Sequence, residues 1–349
     1  MHMKRKIIVV LGPTASGKSG VALALAKKLG GFLISADSRQ VFKFMDIGTN
    51  KDKGKWRSGC RRLPRFARND ASLRAARGDA SLRAARGDAS LRAARGDKGY
   101  IREYLVDVVE PDESFSVWNW VEAVNKVLKK EKGQAIIVGG TGLYISALAE
   151  GYDLPGQFDA KMRACLEKQV DKYDLGYLIA KMKKYDPDIE KKIDTKNPRR
   201  VIRAAEIILQ TKKPLDQDKG ESPYEFLKIG MDVPRERLYE KINARVDVMI
   251  NEGLVDEVKK LLARGYQVDS SAMSGIGYRQ IVQYLDGEIS LERAVELIKR
   301  DTRRYAKRQM TWWRRDGSIR WVKSLVEAEE VVGRARVKGQ KKRENKNIK

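Results

Sequence analysis

Residues 12–19 read Gly-Pro-Thr-Ala-Ser-Gly-Lys-Ser, the pattern G-x-x-x-x-G-K-S. Glycines at this spacing let backbone N–H groups wrap a diphosphate at a helix amino terminus. Gly12, Pro13, Thr14, Ala15, Ser16, Gly17, Lys18 and Ser19 are therefore candidate phosphate-binding residues. Lys18 supplies a point charge and Ser19 a hydroxyl ligand for Mg2+. A second candidate is Asp37, at the end of the apolar run Phe32-Leu33-Ile34-Ser35, where open α/β sheets place their ligands. Its position fits three roles: magnesium ligand, general base, or cap for the following turn.

What is missing narrows the chemistry. An ATPase or GTPase holds magnesium with an acid at the end of a neighbouring strand. Here Ala135-Ile136-Ile137-Val138 runs into Gly139-Gly140-Thr141 with no acid, and Asn50-Lys51-Asp52-Lys53 misses a guanine-recognition motif at its fourth position. The single histidine is His2, and the only cysteines, Cys60 and Cys165, are far apart. Histidine acid/base catalysis, His–Cys zinc sites and Ser-His-Asp triads are excluded, a reducing cytosol is implied, and any base must be a carboxylate.

The elements that must position these residues follow from pattern. Ile7–Leu11 is the continuous apolar run of a buried parallel strand, and Val21–Leu29 reads as a helix stopped by Gly30-Gly31. Further strands are expected at 32–35, 105–109, 135–138 and 226–231, with a short last one at 319–322. Ser116 caps a helix whose Val117, Trp120, Val121, Val124 and Leu128 share a face, and Asn197-Pro198 opens another. Strands alternating with helices give an α/β fold, a P-loop NTPase-like doubly wound parallel sheet, with a mostly helical stretch from 157 to 225 and a helical carboxyl-terminal region.

The chain has 349 residues, enough for two or three domains, with a formal net charge of +25. No apolar run is long enough to span a bilayer, and the amino terminus does not read as a signal peptide. Residues 57–97, 299–323 and 334–349 together hold 22 of the 25 charges. Such concentration beside a balanced remainder is the footprint of a polyanion partner and points to nucleic acid. Residues 70–96 are three copies of Asp-Ala-Ser-Leu-Arg-Ala-Ala-Arg-Gly, read as a low-complexity insertion in a surface loop, because long loops add little closure entropy. The expected organisation is a core of 1–56, 97–156 and 196–325, a flexible repeat-bearing loop at 57–96, a helical insertion at 157–195, and a disordered basic tail at 326–349.

Seven ordered blocks across roughly residues 5–323, the phosphate loop among them, resemble the tRNA dimethylallyltransferase (IPP transferase) family. They are 12–19, Ser-Ala-Asp-Ser-Arg-Gln-Val-Phe at 35–42, Met-Asp-Ile-Gly-Thr at 45–49, Gly-Gly-Thr-Gly-Leu-Tyr at 139–144, Asn-Pro-Arg-Arg-Val-Ile-Arg-Ala at 197–204, Met-Ser-Gly-Ile-Gly-Tyr-Arg-Gln at 273–280 and Arg-Arg-Tyr-Ala-Lys-Arg-Gln-Met-Thr-Trp at 303–312. The chain departs from the family at Arg102-Glu103-Tyr104, where relatives carry Pro-His-His.

The resemblance implies a magnesium-dependent, cytoplasmic, monomeric enzyme. It would move a dimethylallyl group from dimethylallyl diphosphate to the N6 amine of the adenosine beside the anticodon, in tRNAs reading U-initial codons. It implies Asp37 as base, Thr14 and Arg245 with Lys18 on the donor diphosphate, and Ser38, Arg39 and Gln40 on the flipped-out adenosine. Thr141, Arg163, Lys307, Arg308 and Gln309 are the implied tRNA contacts, and residues 157–195 the clasp on the anticodon stem-loop. The rival readings are an adenylate isopentenyltransferase acting on free AMP or ADP, a P-loop nucleotide kinase, and a non-catalytic RNA-binding protein.

Overall fold

The computed structural model describes residues 4–51, 101–152, 154, 160–215 and 220–347. The repeat-bearing segment lies outside them. In chain order the elements are β1 (Arg5–Leu11), α1 (Lys18–Leu29), β2 (Phe32–Ala36), β3 (Glu103–Tyr104), α2 (Val117–Lys130), β4 (Ala135–Gly139), α3 (Gly142–Ala149), α4 (Ala160–Tyr173), α5 (Leu175–Lys183) and α6 (Ile189–Lys192). They continue with α7 (Pro198–Thr211), β5 (Tyr224–Met231), α8 (Arg235–Asn251), α9 (Leu254–Ala263), α10 (Tyr278–Leu285), α11 (Leu291–Trp313), β6 (Arg320–Val322) and α12 (Leu325–Asn347).

The chain forms two compact units. The larger comprises 8–114, 132–140 and 227–349. Its six-stranded sheet has the order β3-β2-β4-β1-β5-β6, with the β1–β4, β2–β4, β2–β3 and β5–β6 ladders parallel. Apolar runs such as Ile8–Leu11 and Ala135–Val138 are covered on both faces and fully buried, as strands of a parallel sheet must be. On one face α1 contributes Val21, Ala22, Leu25 and Ala26 to a core with Ile8, Val10, Leu33, Ile136, Ile229 and Met231. Gly30, at φ 59°, ends α1 where the pattern placed its stop.

Two expectations are corrected here. The strand expected at 105–109 is only Glu103–Tyr104. Leu105 and Asp107 adopt positive φ of 66° and 55°, so the extended run breaks and returns only as a single bridge from Val109 to Phe42. Residues 326–347, expected to be disordered, belong to helix α12. Its first turns bury Ala328 and Val332 in the sheet core, and that apolar contact explains why so basic a segment starts as a helix.

The second unit comprises 1–7, 115–131 and 141–226. Ser116 caps α2 in a capping box with Asn119, and Trp120 stacks on Tyr144 of α3 at 5.1 Å. Helices α4–α7 share one apolar cluster that includes Leu166, Leu178, Met182, Ile189, Val201, Ala205 and Ile208. Helix α7, expected in the core domain, thus belongs with the inserted helices: its face Val201-Ile202-Ala205-Ile208 needs an apolar partner, and α4 and α5 provide it.

Candidate active site

The site lies in the larger unit. Gly17, in the left-handed region at φ 84°, is the residue before α1, so the strand-to-helix turn can tighten around an anion without a Cβ in the way. Lys18 Nζ arches back across this loop and donates to the Pro13 carbonyl at 3.2 Å. The protein crowded around its ammonium lowers the Lys18 pKa to about 8; Asp37 opposes that shift and Arg245 adds to it. Ser16 Oγ is buried with no partner among the described residues.

Two helices distant in sequence hold the loop. From α8, Arg245 Nη1 donates to Thr14 Oγ1 at 2.9 Å. Burial lowers its guanidinium to about 10, with Asp37 pulling the other way. Arg245 Nε is buried and has no partner among the described residues. Around it Leu238 and Ile242 of α8 pack with Ala306 of α11 and with Ala15. From α11, Gln309 Oε1 accepts from the Thr14 N–H at 2.9 Å, and its Nε2 donates to the Gly140 carbonyl at 2.9 Å.

Gln309 is therefore not positioned as the surface contact to tRNA phosphates that the resemblance implied. It is 6% exposed, its carbonyl and its amide are both engaged inside the protein, and a Cβ on Gly140 would stand 2.1 Å from its Nε2. It ties the phosphate loop to the end of β4. Lys307 and Arg308, in the same motif, are exposed, with Arg308 over the Tyr305 ring at 5.7 Å.

Asp37 follows β2, which ends at Ala36. Its Oδ1 accepts from the Arg39 N–H at 2.8 Å and the Gln40 N–H at 3.4 Å. Of the three roles open from spacing, the cap is thus in place. It leaves the second carboxylate oxygen for chemistry, since Asp37 has no other hydrogen bond among the described residues. Ser38 is half-buried in the same turn. Gln40 is committed to the framework: its Nε2 donates to the carbonyls of Thr49 (3.2 Å) and Asn50 (3.4 Å), and its Oε1 accepts from Ser35 Oγ at 3.3 Å. Arg39 donates to the Ser271 carbonyl.

Several residues here were not among the site residues expected from the sequence. Tyr305 lies near Asp37, Arg39 and Arg308; burial first, then the Asp37 charge, pushes its hydroxyl up to about 12. Its spacing to Gln309 on α11 was the available clue. Glu257 is bonded to the 46–48 backbone, with only its place in the first turn of α9 to mark it. Lys51, in the motif that fails as a guanine reader, is buried and tethers Asp107 at 2.6 Å and Asp46 at 3.4 Å.

Thr141 stands at the amino cap of α3 in the other unit. Arg163, also there, is paired with Glu167 at 3.0 Å and with buried Glu206 at 3.2 Å.

Ser19 is exposed in the first turn of α1. Among the described residues no cluster of three His, Cys, Asp or Glu could cage a metal. One hydroxyl beside a diphosphate cradle suits Mg2+, which keeps several waters and binds through substrate phosphates.

A family model described as IPP transferase matches residues 93–316. The chain belongs to the IPP transferase family. Its relatives include the tRNA dimethylallyltransferase of Acetivibrio thermocellus, 39% identical over 93% of this chain and 94% of that one, and that of Carboxydothermus hydrogenoformans, 38% identical over 95% and 96%. Among solved structures, the full-length tRNA isopentenylpyrophosphate transferase of Bacillus halodurans is 32% identical, covers 98% of this chain and 100% of that one, and superposes with a TM-score of 0.64. The match to the IPP transferase model includes all of α8 and α11, the helices that bring Arg245 and Gln309 to the phosphate loop.

Proposed function

We propose that this IPP transferase is a tRNA dimethylallyltransferase. It transfers the dimethylallyl group of dimethylallyl diphosphate to the N6 amine of the adenosine beside the anticodon, in tRNAs reading U-initial codons. The observation that carries the reading is an Asp37 carboxylate oriented by the Arg39 and Gln40 N–H groups at the end of β2, near enough to Lys18 and Arg245 on the phosphate loop for its charge to act on both. A proton acceptor is thereby set beside a cradle for an anionic leaving group.

The donor's diphosphate occupies the phosphate loop. Backbone N–H groups, Lys18 and Arg245 stabilise the charge that builds as the allylic carbon–oxygen bond breaks. Arg245 Nε and Ser16 Oγ, buried without partners among the described residues, donate to diphosphate oxygens, since buried polar groups without partners are costly. Ser19 would hold Mg2+ together with the donor's phosphates, and the ion would supply Lewis-acid stabilisation of the leaving group. The adenine amine is a weak nucleophile with a delocalised lone pair. As its nitrogen bonds to the allylic carbon, Asp37 accepts the N6 proton and diphosphate departs. The cap bonds from Arg39 and Gln40 fix that carboxylate's orientation. Reaching N6 requires the adenosine out of its stack, with Ser38 and Arg39 beside it. Thr141, Arg163, Lys307 and Arg308 are proposed contacts to the anticodon stem-loop. No helix of the described residues is long and apolar enough to cross a membrane; action on tRNA fits a cytoplasmic enzyme, and the family resemblance suggests a monomer.

The test mixes protein, Mg2+ and labelled dimethylallyl diphosphate with unmodified tRNA, and with AMP in parallel. Prenylated tRNA adenosine with stoichiometric diphosphate release and no ATP requirement is expected. Label in AMP alone would replace this reading with the free-nucleotide enzyme, and phosphate transfer from ATP would replace it with a kinase.

A further inference from the structure

Glu257, on α9, makes a set of bonds unlike those of a surface carboxylate. Its Oε2 accepts from the N–H groups of Asp46 (2.8 Å) and Ile47 (2.7 Å), and its Oε1 from the Gly48 N–H at 3.1 Å. Oε1 also takes the hydroxyl of Tyr278 at 2.6 Å. Three successive backbone donors converging on one carboxylate fix that stretch of chain as a helix amino terminus fixes an anion, with charge-assisted bonds about twice as strong as neutral ones. Tyr278, 1% exposed, closes the fit from the other side: a Cβ on Gly48 would lie 2.5 Å from its ring.

The fixed segment leads to Asp37. The carbonyls of Thr49 and Asn50, next in the chain, accept both donor bonds of Gln40, and the Gln40 N–H is one of two that orient Asp37 Oδ1. We infer that Glu257 is a positioning residue for the transfer reaction, acting through the 46–50 segment and Gln40 to set the Asp37 carboxylate, without itself touching substrate. This rests on the role proposed for Asp37 above. It also gives the two motifs at 45–49 and 273–280 one shared purpose: each supplies one wall of the same carboxylate socket.

The experiment compares wild type with Glu257→Gln, which keeps shape but turns one acceptor into a donor facing backbone N–H groups. Gly48→Ala displaces the same segment from the Tyr278 side, and Tyr278→Phe removes a single bond. Amide hydrogen exchange is read over 37–42 and 46–50, and steady-state kinetics over both substrates. Glu257→Gln should speed exchange at least tenfold in both segments. It should lower kcat roughly 10- to 100-fold with KM for dimethylallyl diphosphate within twofold, a split that general unfolding would not produce. Gly48→Ala should match it, Tyr278→Phe should fall between, and Glu257→Gln with Gly48→Ala combined should cost little more than either alone. Faster exchange confined to 46–50 with 37–42 unchanged would overturn the inference, as would an unchanged kcat. If wild type transfers nothing to tRNA, the proposed function fails, while the exchange comparison still decides whether Glu257 governs the Asp37 turn.

Discussion

The phosphate-loop region and the four-helix cluster α4–α7 both bury charge, and they satisfy it differently. Around the phosphate loop, charged and amide side chains are bonded to backbone groups: Asp37 to two N–H groups, Glu257 to three, Gln309 to an N–H and a carbonyl. In the helical cluster, charges are mostly bonded to one another. Glu206 is shared by Arg163 and Arg203, and Asp186 holds Lys192 at 2.9 Å. A carboxylate on backbone N–H groups locks a conformation to a fraction of an ångström. A carboxylate between flexible, half-exposed arginines stabilises packing and tolerates rearrangement. The first arrangement suits bond-making; the second suits a surface that must adapt to a large partner.

The comparison breaks most sharply at Asp37. Asp37→Ala should lower single-turnover transfer by about 10²- to 10⁴-fold, the range for a lost general base, with diphosphate affinity within twofold by calorimetry. A variant that keeps a tenth of its rate would remove Asp37 as base.

Lys18 sharpens it through pH. With a folded pKa near 8 against 10.5 unfolded, Lys18 is a cation below pH 8. Diphosphate affinity should therefore fall as pH rises through about 8, not near 10.5. The sign for folding is opposite: between about pH 8 and 10.5 the unfolded chain binds more protons, so stability of the free protein rises with pH there. Lys18→Met should abolish both dependences.

Gln309→Ala should reduce kcat about tenfold and cost about 1–3 kcal/mol in denaturant unfolding, because Thr14 N–H and the Gly140 carbonyl lose a buried partner. An effect confined to tRNA affinity would return Gln309 to the RNA-contact role that its motif implied.

The smallest effects belong outside the locked region. Glu206→Gln should loosen α4–α7 by about 1–2 kcal/mol, since both its arginines are partly solvated, and leave KM for dimethylallyl diphosphate unchanged. Lys307→Ala and Arg308→Ala should each leave the melting temperature in place and flatten the log–log salt slope of tRNA binding by about 0.7.

Much of this protein was legible in its chain. The phosphate loop, the strand before it and the helix after it are local: glycine spacing, an apolar run and a 3.6-residue period specify them with no distant contact. Ser116 and Asn197 were readable as caps for the same reason. The sheet class followed from strands alternating with helices. What escaped depends on partners far along the chain. The 105–109 segment has the composition of a strand but breaks at Leu105 and Asp107, where it bonds to Gln40 and Val41 instead. The carboxyl-terminal segment looked like a solvated tail until the sheet supplied a face for Ala328 and Val332.

Residue types and spacing alone pointed to a phosphate-binding loop at a helix amino terminus, to a carboxylate as the base, and to a polyanion as the partner. Tertiary structure alone decided which polar side chain faces inward. Gln309 and Lys307 sit two positions apart on α11, in one motif, yet one is enclosed against Thr14 and Gly140 while the other is solvated. The physical reason is that hydrogen-bond donors and acceptors have no sequence range: the Thr14 N–H donates to, and the Gly140 carbonyl accepts from, a side chain 295 and 169 residues away as readily as a neighbour, and only the folded sheet brings it within 3 Å.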